Sequence, residues 1–498
     1  MDRQGKLKLN TVTSLLNQIV TLICGFILPR LILSKYGSSV NGLVSSITQF
    51  LGLITLCELG VGAVVQSSLY KPLAENDTQM VSKVMVSARK FFNKVGFVLF
   101  AYVIILMVVY PINVLADFDF IFTALLIGAI SISYFAQYFL GITNQILLNS
   151  DQKAYIPLIF QILTTLLNTL ASVLLINGGA SIQIVKLTTS IVFLIRPFFL
   201  FVYVRKKYNI NYSIRLIEEP ITQKWNGLAQ HMATVVQGNT PTIVLTFFST
   251  LAKVSVFNVY NLIATGLKQI VLSLTTGVQS LFGNMLAKNE DDTLRNTFNN
   301  VEWWMHTITV VVFTLAGILV VPFVRVYTDG ITDVNYIEPL FGVVLILASA
   351  VYCIRLPYSM IVLAAGHYKQ TQKSAIVEMI ITIIVSLVMV FVVDLIGVAI
   401  ALFVSMLYRT LYYVIYLKKN IINRNLAPFV KQIIVDLFTA GCIVVSTIWL
   451  KLETISYYSL IFLGVKAGVI AVAVTFLINL IFFKKEMINF VKTFIKRI

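Results

Sequence analysis

Charged residues are scarce in this chain. Only 12% of its 498 residues are charged, whereas 58% are hydrophobic and the mean hydropathy is +0.88. A soluble globular domain carries about a quarter charged residues. The composition therefore excludes a soluble enzyme and places the chain among membrane proteins.

Cysteine and the common catalytic motifs are rare or missing. The four cysteines lie in apolar runs without a CxxC pair, so neither disulfides nor a zinc site are expected. The sequence contains no GxxxxGK[ST], HExxH or GxSxG pattern. We therefore expect no ATP-driven transport on this chain, no enzyme activity and no cofactor. The predicted outer connections are also too short for the catalytic loop of a membrane glycan polymerase or ligase.

Long apolar runs fill the rest of the chain. A transmembrane helix needs roughly 20 mostly apolar residues, which predicts an all-α polytopic membrane protein with about 14 spans. The first run is full-length and lacks a small-residue cleavage site, so no signal peptide is expected. The predicted spans are 9–33, 41–69, 95–116, 120–147, 154–177, 182–204, 226–249, 254–287, 304–324, 339–366, 374–393, 397–417, 432–450 and 455–483.

Basic residues alternate between the two sides of these spans. Most of the 38 Lys and Arg residues fall in one set of connections: 3–8, 71–94, 205–224, 418–431 and 484–497. The positive-inside rule makes that side cytoplasmic, together with both termini. It also accounts for the net charge of +17 without nucleic acid as a partner. Trp303 and Trp304 are expected in the aromatic belt at the inner boundary.

Two short patterns recur at almost the same offset. Residues 73–77 (LAEND) resemble residues 286–290 (LAKNE), 213 positions later, and the pair Leu147 and Lys153 resembles Leu363 and Lys369, 216 positions later. Because six spans lie within one offset, the pattern predicts two parallel six-helix bundles with a site between them. The predicted domains are an N-lobe (1–205), a basic cytoplasmic linker (206–225), a C-lobe (226–420), and two extra helices with a basic tail (421–498).

Seven basic side chains interrupt the apolar runs, each at a cost of a few kcal/mol or more if it faces lipid. Lys268 and Arg355 lie about ten residues from either end of their spans, roughly 15 Å, so they cannot easily reach a headgroup. We expect both to face a cavity, with ion pairs between helices as the alternative. The others lie nearer a span end; they are Arg30, Lys186, Arg196, Arg409 and Lys466.

The other bases have different expected roles. Cavity lining and headgroup contact are both open for Arg30, which follows Pro29. Headgroup anchoring is favoured for Arg196 and Arg409, with Arg196 kept as a candidate substrate-binding residue. Headgroup contact is favoured for Lys186 and Lys466, which lie in the outer half.

Uncharged polar residues and one carboxylate complete the candidate site. Glu58 precedes a glycine-rich stretch, and both a coupling or gating role and a structural ion pair remain open for it. The seventh span is polar before Pro241, so we expect Gln237 and Asn239 to line a wet cavity. His231, in the same span, is expected to be neither a metal ligand nor a catalytic residue.

Six short segments of the first ten or so spans, taken in order, carry a family resemblance: 25–30 with 36–37, 58–62, 68–74, 151–153, 257–260, and 283–284 with 286–287. They resemble the Wzx-type polysaccharide-repeat-unit flippases of the multidrug/oligosaccharidyl-lipid/polysaccharide (MOP) exporter superfamily. Order and spacing carry the likeness rather than any single motif. At 239–241 this chain has Asn-Thr-Pro where many relatives have Asn-Thr-Asp, which puts in doubt a mechanism that needs an acid there.

The resemblance implies a V-shaped, MATE-like pair of lobes in a bacterial plasma membrane. It implies flipping of undecaprenyl-pyrophosphate-linked oligosaccharide repeat units from the inner to the outer leaflet by alternating access through a cationic inter-lobe cavity. The product would serve capsule or exopolysaccharide assembly, with a polysaccharide polymerase and glycosyltransferases as partners beside membrane lipids. Coupling to H⁺ or Na⁺ at Glu58 is left open.

Two other functions use the same fold. A cation-coupled multidrug (MATE-type) exporter would need an acid-rich cavity, and the excess of intramembrane bases over Glu58, Glu378 and Asp436 argues against it. A lipid II flippase shares the pyrophosphate chemistry, and the sequence does not separate it from a repeat-unit flippase.

Overall fold

The computed structural model describes residues 3–58, 60–214, 228–275 and 277–487, and this part of the chain is helical without strands. The predicted linker from residue 215 on and the tail from residue 488 on lie outside the described residues. The helices are α1 (Arg3–Tyr36), α2 (Ser38–Gly52), α3 (Val61–Ala74), α4 (Thr78–Asn113), α5 (Phe120–Ala136), α6 (Ile142–Ser150), α7 (Tyr155–Asn177), α8 (Ile182–Lys207), α9 (Leu228–Phe248), α10 (Leu251–Leu274), α11 (Val278–Ala287), α12 (Asp291–Tyr327), α13 (Pro339–Ala364), α14 (Gln372–Val393), α15 (Leu395–Asn420), α16 (Ala427–Thr447) and α17 (Tyr457–Phe482).

Thirteen helical stretches of the described residues are long and apolar enough to cross a membrane. The predicted fold class, an all-α polytopic membrane protein, is confirmed. The predicted seventh span corresponds to α9, which is not one of the thirteen. Its glutamine, histidine and asparagine side chains lower the hydropathy of a helix that is otherwise of spanning length.

The chain divides into two compact units. Unit 1 comprises residues 1–235 with 250–255, and unit 2 comprises 236–249 with 256–498. The division thus falls inside α9, whereas the sequence placed the lobe boundary before that helix. The first turns of α9 belong to unit 1, where the ring Nε2 of His231 lies 2.9 Å from the carbonyl oxygen of Thr55.

The helices repeat along the chain with a nearly constant offset. The helices α2, α4 and α8 begin 213 residues before α10, α12 and α15, respectively. Packing repeats as well, since the neighbours α4–α5, α5–α8 and α7–α8 correspond to α12–α13, α13–α15 and α14–α15. The duplication read from two short patterns therefore extends over whole helices.

Both repeats break their second span at a glycine with a left-handed backbone. Gly60 has φ of 71° and precedes α3, and Gly277 has φ of 90° and precedes α11. A side chain with a Cβ adopts this conformation at a cost, so glycine permits the break in both halves. The break makes Thr275 the counterpart of Glu58, since each precedes its glycine by two residues. Lys268 lies about two turns before Thr275.

The two helices after the repeats pack against α12. The indole Nε1 of Trp303 on α12 donates to Asn479 on α17 at 2.7 Å, and Trp303 is only 6% exposed. Trp303 therefore faces the protein interior, and its depth in the membrane stays a prediction. Its N–H group binds a helix that the repeat does not contain, so this buried donor is satisfied.

Candidate functional site

One carboxylate binds two arginines in the interior of unit 2. Glu378 on α14 contacts Arg355 on α13, Nη1 to Oε1 at 2.5 Å, and Arg409 on α15 through its other oxygen. Glu378 is 1% exposed, Arg409 3% and Arg355 9%. Three neighbouring helices of unit 2 are thereby joined at one buried point. Arg409, which the sequence placed at the headgroups, lies instead in the interior because Glu378 supplies its counter-charge.

A tyrosine extends the cationic cluster towards Lys268. The ring of Tyr352 lies 4.8 Å from the guanidinium carbon of Arg355 and 5.6 Å from the ammonium of Lys268. Among the described residues, no carboxylate lies within ion-pair distance of Lys268. This region therefore holds three basic side chains and one carboxylate, which leaves an excess of positive charge. We name Lys268, Tyr352, Arg355, Glu378 and Arg409 the cationic cluster.

A cavity of about 690 Å³ adjoins this cluster within unit 2. Tyr352 is one of its lining residues. The break before α11 supplies Thr275 and Gly277, and the first turn of α11 supplies Gln279 and Ser280. Its volume is in the range of small-molecule sites. Lys268 and Arg355 thus contact a ring that faces a cavity. Arg355 is also ion-paired with Glu378. The sequence analysis had treated a cavity-facing position and an ion pair between helices as alternatives.

The corresponding region of unit 1 holds the carboxylate Glu58. The hydroxyl of Tyr138 donates to Glu58 Oε1 at 2.6 Å. Tyr138 belongs to the π-helical turn Gln137–Gly141 between α5 and α6, a local widening that often occurs at functional sites. Nε2 of His231 must donate at Thr55, because a carbonyl oxygen only accepts. A histidine N–H therefore contacts the same short segment that carries Glu58.

Arg196 and the same π-helical turn share an acceptor on α6. Arg196 Nη2 donates to Gln145 Oε1 at 2.9 Å, and Gln137 Nε2 lies 3.5 Å from that oxygen. Arg196 is 213 residues before Arg409 and at the same position of its helix, and Tyr138 is 214 residues before Tyr352. The two units therefore place an arginine and a tyrosine at equivalent positions but give them different partners.

The other predicted site residues lie elsewhere. Arg30 is half-buried on α1 of unit 1, directly after Pro29. Gln237 and Asn239 lie on α9 within unit 2, Asn239 being 9% exposed. The amide nitrogen of Gln237 is buried without a hydrogen-bond partner among the described residues. The binding roles of these three residues stay predictions.

The sequence reading missed a buried polar network that joins α12, α13 and α16. His306 Nδ1 lies 2.6 Å from Asp436 Oδ2, and its Nε2 lies 3.2 Å from the hydroxyl of Tyr358. Tyr358 donates to Glu302 at 2.5 Å, and Glu302 pairs with Arg424 at 2.5 Å. Tyr358 has one hydroxyl proton and gives it to Glu302, so its oxygen can only accept at His306 Nε2. Glu302 and His306 lie one turn apart in an apolar helix, and this spacing could have predicted the network from the sequence.

A second cluster lies on the predicted cytoplasmic side of unit 1. Asp151 pairs with Lys153 at 2.6 Å and with Lys6 at 3.5 Å, and it accepts a hydrogen bond from Tyr208. Burial alone would raise the pKa of Asp151, but the hydrogen bonds from Lys153 and Tyr208 and the nearby lysine charges lower it below its ordinary value. The pKa of Tyr208 is raised by burial and by its bond to this carboxylate. The cluster ties α1 and α8 to the connection after α6.

Metal chemistry gains no support from the described part of the chain. No group of three or more His, Cys, Asp or Glu residues that could hold a metal ion occurs there. All four cysteines are free.

Solved membrane transporters share this architecture. No family model and no curated protein sequence matches the chain. A structure of the lipid II flippase MurJ in an inward closed conformation matches with a TM-score of 0.66 at 18% identity, over 96% of this chain and 99% of that chain. An inward-facing multidrug resistance MATE family transporter of the MOP superfamily matches with a TM-score of 0.64 at 13% identity, over 82% and 97%.

A third match has a binding pocket of a different character. A MOP superfamily transporter from Pyrococcus furiosus, described as having a binding pocket of reverse polarity, matches with a TM-score of 0.56 at 13% identity, over 85% and 98%. At these identities the likeness establishes the fold. The chain has the multi-pass architecture of the lipid II flippase and MATE transporters, which are transport proteins and not enzymes.

Proposed function

We propose that the chain is a flippase for undecaprenyl-pyrophosphate-linked oligosaccharide repeat units, which it moves from the inner to the outer leaflet for surface polysaccharide assembly. The observation that carries the proposal is the cationic cluster beside the cavity of unit 2. Three basic side chains lie there with one carboxylate, which pairs with two of them, inside a chain that is otherwise poor in charge.

The chemistry of a pyrophosphate headgroup fits this charge excess. A pyrophosphate cannot enter hydrocarbon without a replacement for its hydration shell. Lys and Arg supply charge-assisted hydrogen bonds to phosphate oxygens, and these gain strength where water is partly excluded. Lys268, which has no ion-paired acid among the described residues, is the residue we expect to meet the phosphate first. Arg355 would follow by exchanging part of its contact with Glu378.

Alternating access remains the mechanism that we infer from the duplication. Each half of the chain forms one unit, and the site would open first to one side of the membrane and then to the other. The polymerase and glycosyltransferase partners follow from the resemblance and belong to this proposal.

A lipid II flippase is the second candidate. The likeness to MurJ covers 96% of this chain, whereas the MATE likeness covers 82%. Lipid II and a repeat-unit carrier both present a polyprenyl pyrophosphate, so the cationic cluster serves either. A host whose growth depends on this chain would favour lipid II, and a host that grows normally without surface polysaccharide would favour the repeat unit.

The test replaces Lys268 and Arg355 by glutamine, singly and together, in the full chain. Each single variant should reduce surface polysaccharide at least tenfold, and the double variant should abolish it, while membrane abundance stays unchanged. Arg355→Gln leaves Glu378 paired with Arg409, so no buried carboxylate is left without a counter-charge. The measurement is surface polysaccharide per membrane-inserted protein in a deletion strain.

Lys186→Gln is the matched control, since Lys186 is a half-buried lysine near the beginning of α8 and is not a member of the cluster. It should keep wild-type polysaccharide. Normal polysaccharide in the double variant would refute the role of the cluster. Resistance to cationic dyes without a polysaccharide defect on deletion would favour a multidrug exporter.

A further inference from the structure

A pocket of about 300 Å³ lies where the connection between α16 and α17 meets the first turns of α17. Both helices follow the duplicated part of the chain, so the repeat contains no counterpart of this pocket. Two lysines and one carboxylate line it together with an indole and apolar side chains. The lining residues are Trp449, Leu450, Lys451, Glu453, Ser459, Phe462, Leu463 and Lys466.

Lys466 reaches this pocket from inside a membrane span. It follows the first residue of α17, Tyr457, by nine positions, which is roughly 13 Å along the helix axis. Its ammonium lies 4.1 Å from the ring centre of Phe462 and 3.8 Å from Glu453 Oε1. The pair is long and the Glu453 side chain is 76% exposed, so Glu453 holds Lys466 only weakly. Lys466 is thus available to a further anion at a depth where cations are costly.

The charge balance of the pocket favours an anion. Lys451 and Lys466 against Glu453 leave one positive charge. The pocket lies at the predicted outer side, where the positive-inside pattern leaves few basic residues, yet two converge here. The pocket also borders the capped beginning of α17, where Ser456 accepts from the amide of Ser459 and the helix end carries partial positive charge.

The apolar part of the lining fits the interface of a bilayer. Trp449 is 66% exposed, and tryptophan is enriched at the headgroup level of membranes. Phe462 and Leu463 continue the surface into the depth of the span. A volume of about 300 Å³ accommodates a phosphate with its glycerol rather than an oligosaccharide.

We propose that this pocket binds the phosphate of an anionic lipid headgroup in the leaflet on the predicted outer side. Lys451 and Lys466 donate charge-assisted hydrogen bonds to the phosphate oxygens. Trp449 contacts the glycerol region, and the acyl chains remain in the bilayer. Glu453 competes with the phosphate for Lys466. This inference does not depend on the substrate that the chain transports.

Two lipids offer this chemistry: an anionic phospholipid and a polyprenyl phosphate. The test measures binding to the purified full chain by native mass spectrometry, with phosphatidylglycerol, a polyprenyl phosphate and zwitterionic phosphatidylcholine as probes. Tighter binding of either anionic lipid than of phosphatidylcholine supports the proposal, and the tighter of the two identifies the source.

The variants separate this pocket from general lipid binding. K451Q and K466Q should each weaken anionic-lipid binding about fivefold, as expected for one basic residue near a membrane surface. E453Q should tighten it, because the competing carboxylate is gone. K186Q, a half-buried lysine of unit 1, should leave it unchanged.

Thermal unfolding without added lipid controls for folding. K451Q changes a residue of the connection and leaves both helices intact, so the test stands even where K466Q fails to fold. Equal affinity for phosphatidylcholine, loss in K186Q as large as in K451Q, or weaker binding in E453Q would each overturn the proposal.

Discussion

At the scale of single residues, the informative groups are the charges that the membrane interior makes expensive. Glu378 is the clearest case, because one carboxylate serves Arg355 and Arg409 at the same time. A buried ion pair adds little net stability, yet removing one partner is costly because it leaves an uncompensated charge. The cluster therefore depends on its single acid more than on either arginine.

Glu378→Gln should destabilise the folded chain strongly. Two buried guanidinium groups would lose their counter-charge, at a cost of about 3–5 kcal/mol. Unfolding of the purified protein in mixed micelles measures this as a loss of free energy of unfolding. Glu75→Gln is the control, because Glu75 is exposed and lies 3.9 Å from Lys71. Equal stability of both variants would show that Glu378 does not stabilise the two buried arginines.

At the scale of secondary-structure elements, the broken second span of each repeat sets the geometry of the site. Gly60 and Gly277 adopt positive φ in the two halves, and the residues after Gly277 line the cavity beside the cationic cluster. A continuous helix would place Gln279 and Ser280 on other faces, since each residue advances the helix by about 100°. The break is thus part of the site, and glycine is the residue that permits it.

Gly60→Ala and Gly277→Ala should each lower stability by about 1–2 kcal/mol, because an alanine in a left-handed conformation is strained. Gly441→Ala is the matched control. Gly441 lies inside α16 with open space around the position of a Cβ, so alanine there should be neutral or slightly stabilising. Thermal unfolding of the three variants measures the difference. Loss of stability in Gly441→Ala alone would contradict the conclusion that glycine is needed at the two helix breaks.

At the scale of the whole molecule, the two repeats have diverged in charge. Unit 1 has Glu58 two residues before its helix break, bonded to Tyr138, whereas unit 2 has Thr275 there and places its acid at Glu378. The carboxylates Glu58 and Glu378 therefore differ in their partners, because only Glu378 is held between two arginines. Under the proposed function, unit 2 would bind the anionic headgroup and Glu58 would respond to a cation.

Glu58→Gln tests the coupling role. If H⁺ or Na⁺ binds at Glu58, the variant should transport slowly and lose its dependence on the ion gradient, because an amide neither takes up a proton nor attracts a cation. Transport assayed in vesicles with imposed gradients measures both effects. Tyr138→Phe keeps the carboxylate and should retain the gradient dependence. Unchanged transport and gradient dependence in Glu58→Gln would exclude the role.

The extent of prediction from sequence differs between fold and site. The spans and the duplication follow from hydropathy and from an offset of about 213 residues, both of which are local or periodic signals. The network around His306 was missed although Glu302 and His306 lie one turn apart in an apolar helix. Tyr352 and Tyr138 were missed because a tyrosine in an apolar run carries no signal until its partners are known. Arg409 was misplaced for the same reason.

By itself, the amino-acid sequence determined that this chain is a helical membrane protein with a duplicated core and costly buried charges. These properties can be read from sequence because the bilayer requires a certain length and hydropathy of each span separately. Only the tertiary structure decided which charges meet. Arg355, Glu378 and Arg409 lie on three helices, and their pairing arises from packing between segments that are distant along the chain. Hydropathy indicates the free-energy cost of a charge in the membrane. The partner of that charge depends on distances between helices, which are set only when the helices pack.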